Sequence, residues 1–176
     1  LSCEGCGVCA WFCPAGAIRM VPEHNGEWFV SRTANGPMVH ARLRPGSENS
    51  GKLVTEVRRG ARAVAEREGI DTLIVDGSPG TGCPVIASLT GADAVLIVTE
   101  PGKSAMSDLD RVLSLVRHFG LEAAIAVNRS DINDRLTTRI IDMAAERSIP
   151  FAGCVRFDEE FTRAQICSKS IKDFTT

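Results

Sequence analysis

Four cysteines fall within the first thirteen residues, in the run C-E-G-C-G-V-C-A-W-F-C-P at 3–14, spaced C-x2-C-x2-C-x3-C-P. Nothing else in the sequence restricts the local fold so tightly. Gaps of two residues wind the chain around a common centre, and Gly5 and Gly7 give the backbone the freedom that such winding needs. Thiols at this density, with no histidine among them, are a donor set for a soft metal centre.

A structural zinc site pairs two C-x2-C units across a longer gap. Three consecutive short gaps, closed by a proline, suit an iron–sulfur cluster instead. Cys3, Cys6, Cys9 and Cys13 are therefore the expected metal ligands, the cofactor a 4Fe-4S cluster, and the segment ferredoxin-like. Two ligand arrangements remain open. In one, all four cysteines hold a single cluster. In the other, Cys13 serves a second cluster, as the fourth cysteine of the run does in two-cluster ferredoxins; a second run would then lie outside this sequence. Trp11 and Phe12 are expected to shield the cluster from water.

The other cysteines, Cys83, Cys154 and Cys167, are widely separated, which does not suit a disulfide scaffold. A reducing, cytoplasmic setting is expected, with Cys83 and Cys154 as small buried thiols. The net charge is −2 and there is no long basic run, so nothing marks a nucleic-acid surface. No apolar stretch approaches the roughly 20 residues of a membrane-spanning helix. The first residue is Leu1, already beside the cysteine run, and the chain is expected to be a piece of a longer protein.

Residues 1–37 carry the cysteine run, both tryptophans and turn-rich polar stretches, and form the expected iron–sulfur segment. Residues 38–176 form the second expected domain, in which apolar runs alternate with helical patterns. Strands are expected at 38–43, 72–75, 92–99, 122–128 and 151–155. Helical spacing of apolar residues marks 52–67, 105–119, 136–146 and 159–166. Continuous apolar strands separated by helices predict an α/β fold with a parallel sheet covered on both faces. Ligands of such sheets bind beyond the C-terminal strand ends, here at 76–84, 100–104, 128–133 and 156–159.

These strand ends carry a resemblance. T-L-I-V-D-G-S-P-G at 72–80 resembles the Walker B strand and switch loop of the MinD/ParA group of P-loop ATPases. A-D-A-V-L-I-V-T-E-P at 92–101 resembles that group's next core strand, and S-D-L-D-R at 107–111 resembles its following helix. V-N-R-S-D at 127–131 resembles the base-recognition segment, with Arg129 in place of lysine, and 151–158 resembles the segment that passes near the base. The order of parts resembles MinD-type ATPases with an inserted ferredoxin domain. The resemblance implies an incomplete doubly wound P-loop sheet, Asp76 as the Mg²⁺-associated acid, and Gly77, Pro79, Gly80, Asn128 and Asp131 as nucleotide-binding residues. It implies ATP and Mg²⁺ as cofactors of the parent protein, and a parent homodimer.

The Walker A loop of that group is absent, so this piece is not expected to hydrolyse ATP by itself. G-S-E-N-S-G-K-L at 46–53 matches G-x4-G-K, but Leu53 stands where a P-loop needs Ser or Thr. The better expectation is a helix capped by Asn49 or Ser50, with Lys52 in its first turn. Three functional classes follow: an ATP-driven redox or cluster-handling enzyme, a ferredoxin-type electron carrier on an α/β docking platform, and a cluster scaffold. A redox protein partner is expected, its identity open.

Overall fold

The computed structural model describes residues 5–22, 24–45, 47 and 50–174. The chain is mixed α/β and divides into two compact units, residues 1–90 and 91–176.

In the first unit, helix α1 (Val8–Trp11) lies within the cysteine run. Strands β1 (Gly26–Thr33) and β2 (Gly36–Leu43) pair antiparallel over their whole length, from Gly26 opposite Leu43 to Thr33 opposite Gly36. Only Ala34 and Asn35 lie between them. The hairpin runs through position 37, so strand pairing is continuous across the expected edge of the cysteine-bearing segment. β1 was not expected, because its alternation is masked by polar residues on a half-exposed strand.

Helix α2 (Gly51–Glu68) follows. The Ser50 hydroxyl accepts the Leu53 N–H at 3.3 Å, the expected cap; Asn49 lies outside the described residues. Gly69, at φ 65°, ends the helix. The hairpin packs on α2 at Gly60, where an added Cβ would meet the Trp28 ring at 3.1 Å and Val39 at 3.4 Å. A glycine in a helix interior costs about 1 kcal/mol relative to alanine; here it gives the hairpin room. Helix α3 (Cys83–Leu89) packs against α2 through Val85 and Leu89. Arg58 on α2 donates to the carbonyls of Ala87 (2.7 Å) and Thr90, which fixes the end of α3.

The expected strand at 72–75 is not a strand. Residues 70–78 have no regular structure, and Ile74 is 89% exposed. An apolar run becomes a strand only where a neighbouring backbone completes its ladder, and among the described residues no strand pairs with this one.

The second unit holds a three-stranded parallel sheet in the order β3 (Ala94–Thr99), β4 (Glu122–Asn128), β5 (Phe151–Val155). Helix α4 (Lys103–His118) connects β3 to β4. A 3-10 turn (Ser130–Ile132) and helix α5 (Asp134–Glu146) connect β4 to β5. Between β4 and β5 the register shifts after Ile125, leaving Ala152 unpaired, and Gly153 takes φ 141° beside this bulge. The core joins Leu109, Leu113 and Val116 of α4, Ile140 and Ala144 of α5, and Ile97, Ile125 and Val127 of the sheet. Helices α6 (Glu159–Ile166) and α7 (Ile171–Phe174) follow β5. Cover on both faces was expected throughout. On β3 it exists on one: Ile97 and Thr99 are buried, whereas Leu96 and Val98 are 58% and 61% exposed. Among the described residues no helix is long and apolar enough to cross a membrane.

Candidate functional site

The cysteine segment turns on two left-handed glycines, Gly5 at φ 69° and Gly7 at φ 75°. Gly7 starts α1, and the amides of Trp11 and Phe12 return to the carbonyls of Gly7 and Val8 at 3.0 Å. Cys9 lies in this turn and Cys13 one turn later. Cys6 and Cys9 are exposed, Cys13 is half-buried, and all three are free thiols. Cys3 lies outside the described residues. Among the described residues no three His, Cys, Asp or Glu side chains are gathered as a metal-binding group.

The donor chemistry nonetheless fits a cluster. The Ala17 N–H donates to the Cys13 sulfur at 3.4 Å. That bond, then one from Ala15, holds the Cys13 thiol below its ordinary pKa, with smaller contributions from Ile18 and Gly16. N–H groups aimed at a sulfur favour the thiolate, the form that binds metal. Trp11 and Phe12 do not shield this site in the structure. They are 83% and 72% exposed, with their rings 5.1 Å apart.

In the first unit, Asp76, Gly77, Pro79 and Gly80 lie on the loop leading into α3, all exposed, with Gly80 at φ 90°. Asp76 lines an apolar groove of about 430 Å³ bounded by β2, α2 and residues 73–78. Cys83 begins α3 and is exposed rather than buried as expected. The backbone there is tightly placed: a Cβ on Gly51 would come within 3.0 Å of the Cys83 carbonyl oxygen. Lys52, in the first turn of α2, is exposed. Cys154, on β5, is also exposed rather than in the core as expected.

In the second unit, the C-terminal ends of the three strands gather Asn128 and Asp131 with residues of neighbouring loops. Asn128 ends β4, opposite Val155 of β5. Arg129 takes a left-handed conformation, φ 50°, which reverses the chain into the 3-10 turn. The turn is anchored from below by the buried Thr137 hydroxyl, which donates to the Ser130 carbonyl at 2.7 Å. Asp131 then faces the loop after β5. Its Oδ1 accepts the Phe157 N–H at 2.7 Å, and its Oδ2 lies 3.5 Å from Arg156 Nε. The Phe157 N–H is the main cause holding the Asp131 carboxyl below the usual carboxylate range, with Arg156 adding to it. Arg129 pairs with Glu100 at 3.6 Å and lies 5.9 Å from the centroid of the Phe157 ring. Glu100, Arg156 and Phe157 were not singled out from the sequence. Their one detectable signal was position: each directly follows a strand or lies within two residues of its end.

Residues 2–19 match the 4Fe-4S binding domain family, and the N-terminal piece is thus a ferredoxin-like, iron–sulfur-binding segment. The chain is also similar to two proteins of Methanocaldococcus jannaschii. It is 31% identical to the uncharacterized protein MJ0578 over 98 residues, 56% of this chain and 34% of the relative. It is 30% identical to the uncharacterized protein MJ0579 over 132 residues, 75% of this chain and 46% of the relative. The matched part thus spans about a third of one relative and just under half of the other.

Proposed function

We propose that this chain is the iron–sulfur-bearing part of a MinD-type nucleotide-binding ATPase that couples ATP binding or hydrolysis to redox or cluster chemistry. The observation that carries the iron–sulfur half is the cysteine run, whose last thiol is held toward the thiolate by the amides that follow it. When bound, the cluster supplies one-electron chemistry. Cys3, Cys6, Cys9 and Cys13 would hold it, and the N–H groups of Ala15 and Ala17 would steady the Cys13 sulfur.

The nucleotide half rests on the resemblance and on a supporting arrangement. Asn128 and Asp131 stand at the C-terminal end of a parallel strand, where α/β sheets bind their ligands. In this reading Asp76 is the Mg²⁺-associated acid, Gly77, Pro79 and Gly80 form its loop, and Asn128 and Asp131 face the base. The parent protein works as a homodimer in the cytoplasm. The chain described here does not itself turn over ATP.

The test uses the whole protein, purified without oxygen. Iron and sulfide should be present in equal amounts, and ATP turnover should differ between the reduced and oxidised forms. A preparation without iron sinks the cluster half. A cluster-loaded protein that binds no ATP sinks the nucleotide half.

A second reading, an electron carrier on an α/β docking platform, is favoured by the exposure of Trp11 and Phe12. A redox partner could approach the cluster across these rings. Reversible one-electron reduction that is indifferent to ATP would select it.

A further inference from the structure

Helices α4 and α5 each connect the end of one parallel strand to the start of the next, so they run in the same direction on one face of the sheet. The Arg147–Asp110 ion pair, at 2.6 Å, joins them. Between them lies an open cleft of about 1110 Å³. None of the residues assigned to the cluster or to the nucleotide lines it.

The charges of this cleft are divided along its length. Lys103 is the first residue of α4, and Arg135 and Arg139 lie one turn apart at the start of α5. All three are exposed, and among the described residues they make no ion pair or hydrogen bond. The carboxylates stand further along the helices. Asp110 is neutralised by Arg147, and Asp142 lies beyond Arg139. Arg135 and Arg139 are related as i and i+4, where like charges repel. A counter-anion held between them and Lys103 turns that repulsion into attraction. Met106 and Leu136, both half-buried, add an apolar wall beside the cations.

Guanidinium forks grip phosphate and carboxylate oxygens in pairs, and an ammonium adds a point charge. Two arginines on successive turns suit two linked anionic groups. A diphosphate concentrates more charge and more acceptor oxygens on two such groups than a dicarboxylate does. The volume and the apolar wall leave room for an organic body as well. We propose that the α4–α5 cleft binds a small organic diphosphate, with its phosphoryl oxygens on Lys103, Arg135 and Arg139 and its apolar body against Met106 and Leu136.

Calorimetric titration of the whole protein with hexyl diphosphate, inorganic pyrophosphate and succinate tests this. Excess ATP is present throughout, to keep any nucleotide site filled. Hexyl diphosphate should bind about tenfold more tightly than pyrophosphate, because only it has apolar surface to bury. Succinate should bind more weakly than either. Arg135→Ala and Arg139→Ala should each weaken both diphosphates about tenfold, the scale of a lost hydrogen bond to a charged group. Both positions are exposed, so the variants should fold as wild type does. Met106→Ala should narrow the preference for the hexyl compound and leave pyrophosphate affinity unchanged. Arg117→Ala removes an exposed arginine of α4 outside the cleft and should change nothing. Absence of diphosphate binding in the millimolar range would overturn the proposal. So would affinities that survive the Arg135→Ala, Arg139→Ala double variant, or that fall as much in Arg117→Ala. Succinate bound more tightly than pyrophosphate would overturn the ligand class, and equal affinity for the two diphosphates would overturn the role given to the apolar wall.

Discussion

Residues 72–80 and 122–131 share one pattern. Each is an apolar run ending in a polar residue, followed by a tight polar loop: T-L-I-V-D-G-S-P-G in one, E-A-A-I-A-V-N-R-S-D in the other. The second becomes β4, the central strand of its sheet, hydrogen-bonded to β3 and β5, with Ile125 and Val127 fully buried. The first forms no ladder and leaves Ile74 almost fully exposed. By residue type the first run, T-L-I-V, is the better strand former, since β4 holds three alanines and a glutamate; what decides the outcome is the company each keeps. A strand is stabilised by backbone partners and by packing on its faces, and β4 has both.

The sharpest way to break this contrast is to truncate the two isoleucines. Ile125→Ala should destabilise the protein by about 2–5 kcal/mol, because it opens a cavity in a closed core. Ile74→Ala should stay within about 0.5 kcal/mol, as exposed substitutions do. Urea unfolding followed by circular dichroism measures both. An Ile74→Ala loss comparable to that of Ile125→Ala would show that 72–75 is packed as a strand in solution, and the contrast would vanish.

A smaller effect separates the structures around the two runs. After 72–80 the chain enters α3, whose end is held by Arg58 rather than by a sheet. Among the described residues the Arg58 Nε is buried without a hydrogen-bond partner, and burial, then Arg62, lowers the guanidinium pKa without discharging it. Arg58→Ala removes a charged donor from two carbonyls, worth about 1.5–3 kcal/mol for bonds of this type. Its loss should appear as faster amide exchange in α3, with exchange in β4 unchanged. After 122–131 the chain enters α5, capped by Asn133, whose Oδ1 accepts the Leu136 N–H at 3.1 Å. Asn133→Ala should cost about 1 kcal/mol, read in the same urea series. Equal exchange changes in α3 and β4 on Arg58→Ala would mean that the two regions unfold together.

What was legible follows the same division. The strands at 122–128 and 151–155 have the expected bounds, and four expected helices are present within two residues at their starts or ends, because their apolar spacing is satisfied within the unit that contains them. The run at 72–75 looked the same on paper, since a sequence shows that a strand wants neighbours but not that it has them. β1 was missed because a half-exposed hairpin strand bearing Trp28, Ser31 and Arg32 has no clean alternation. At the candidate site, the cysteine spacing declared its chemistry directly, as ligand spacing is local. Asp131 could be placed in a loop from the sequence, but its bond to Phe157 spans twenty-six residues and depends on β5 lying beside β4. No local pattern encodes such a contact.

The smallest effect concerns that contact and tests whether the end of β4 is as firmly built as its middle. The Phe157 N–H, helped by Arg156, lowers the Asp131 pKa in the folded state. A depressed carboxyl stabilises the fold above its unfolded pKa, about 3.9 for aspartate, and the stabilisation is lost as pH falls through the lower folded value. The pinned loop should therefore be intact from neutral pH down to about 4 and loosen only below the usual aspartate range. Titration of the Phe157 amide chemical shift should show an inflection below about 3.9. Asp131→Asn is the control: it keeps an acceptor oxygen, cannot ionise, and should remove the inflection. An inflection that persists in this variant belongs to another group. The carboxylate would then not govern the loop, and the order seen at the end of β4 would come from strand pairing alone.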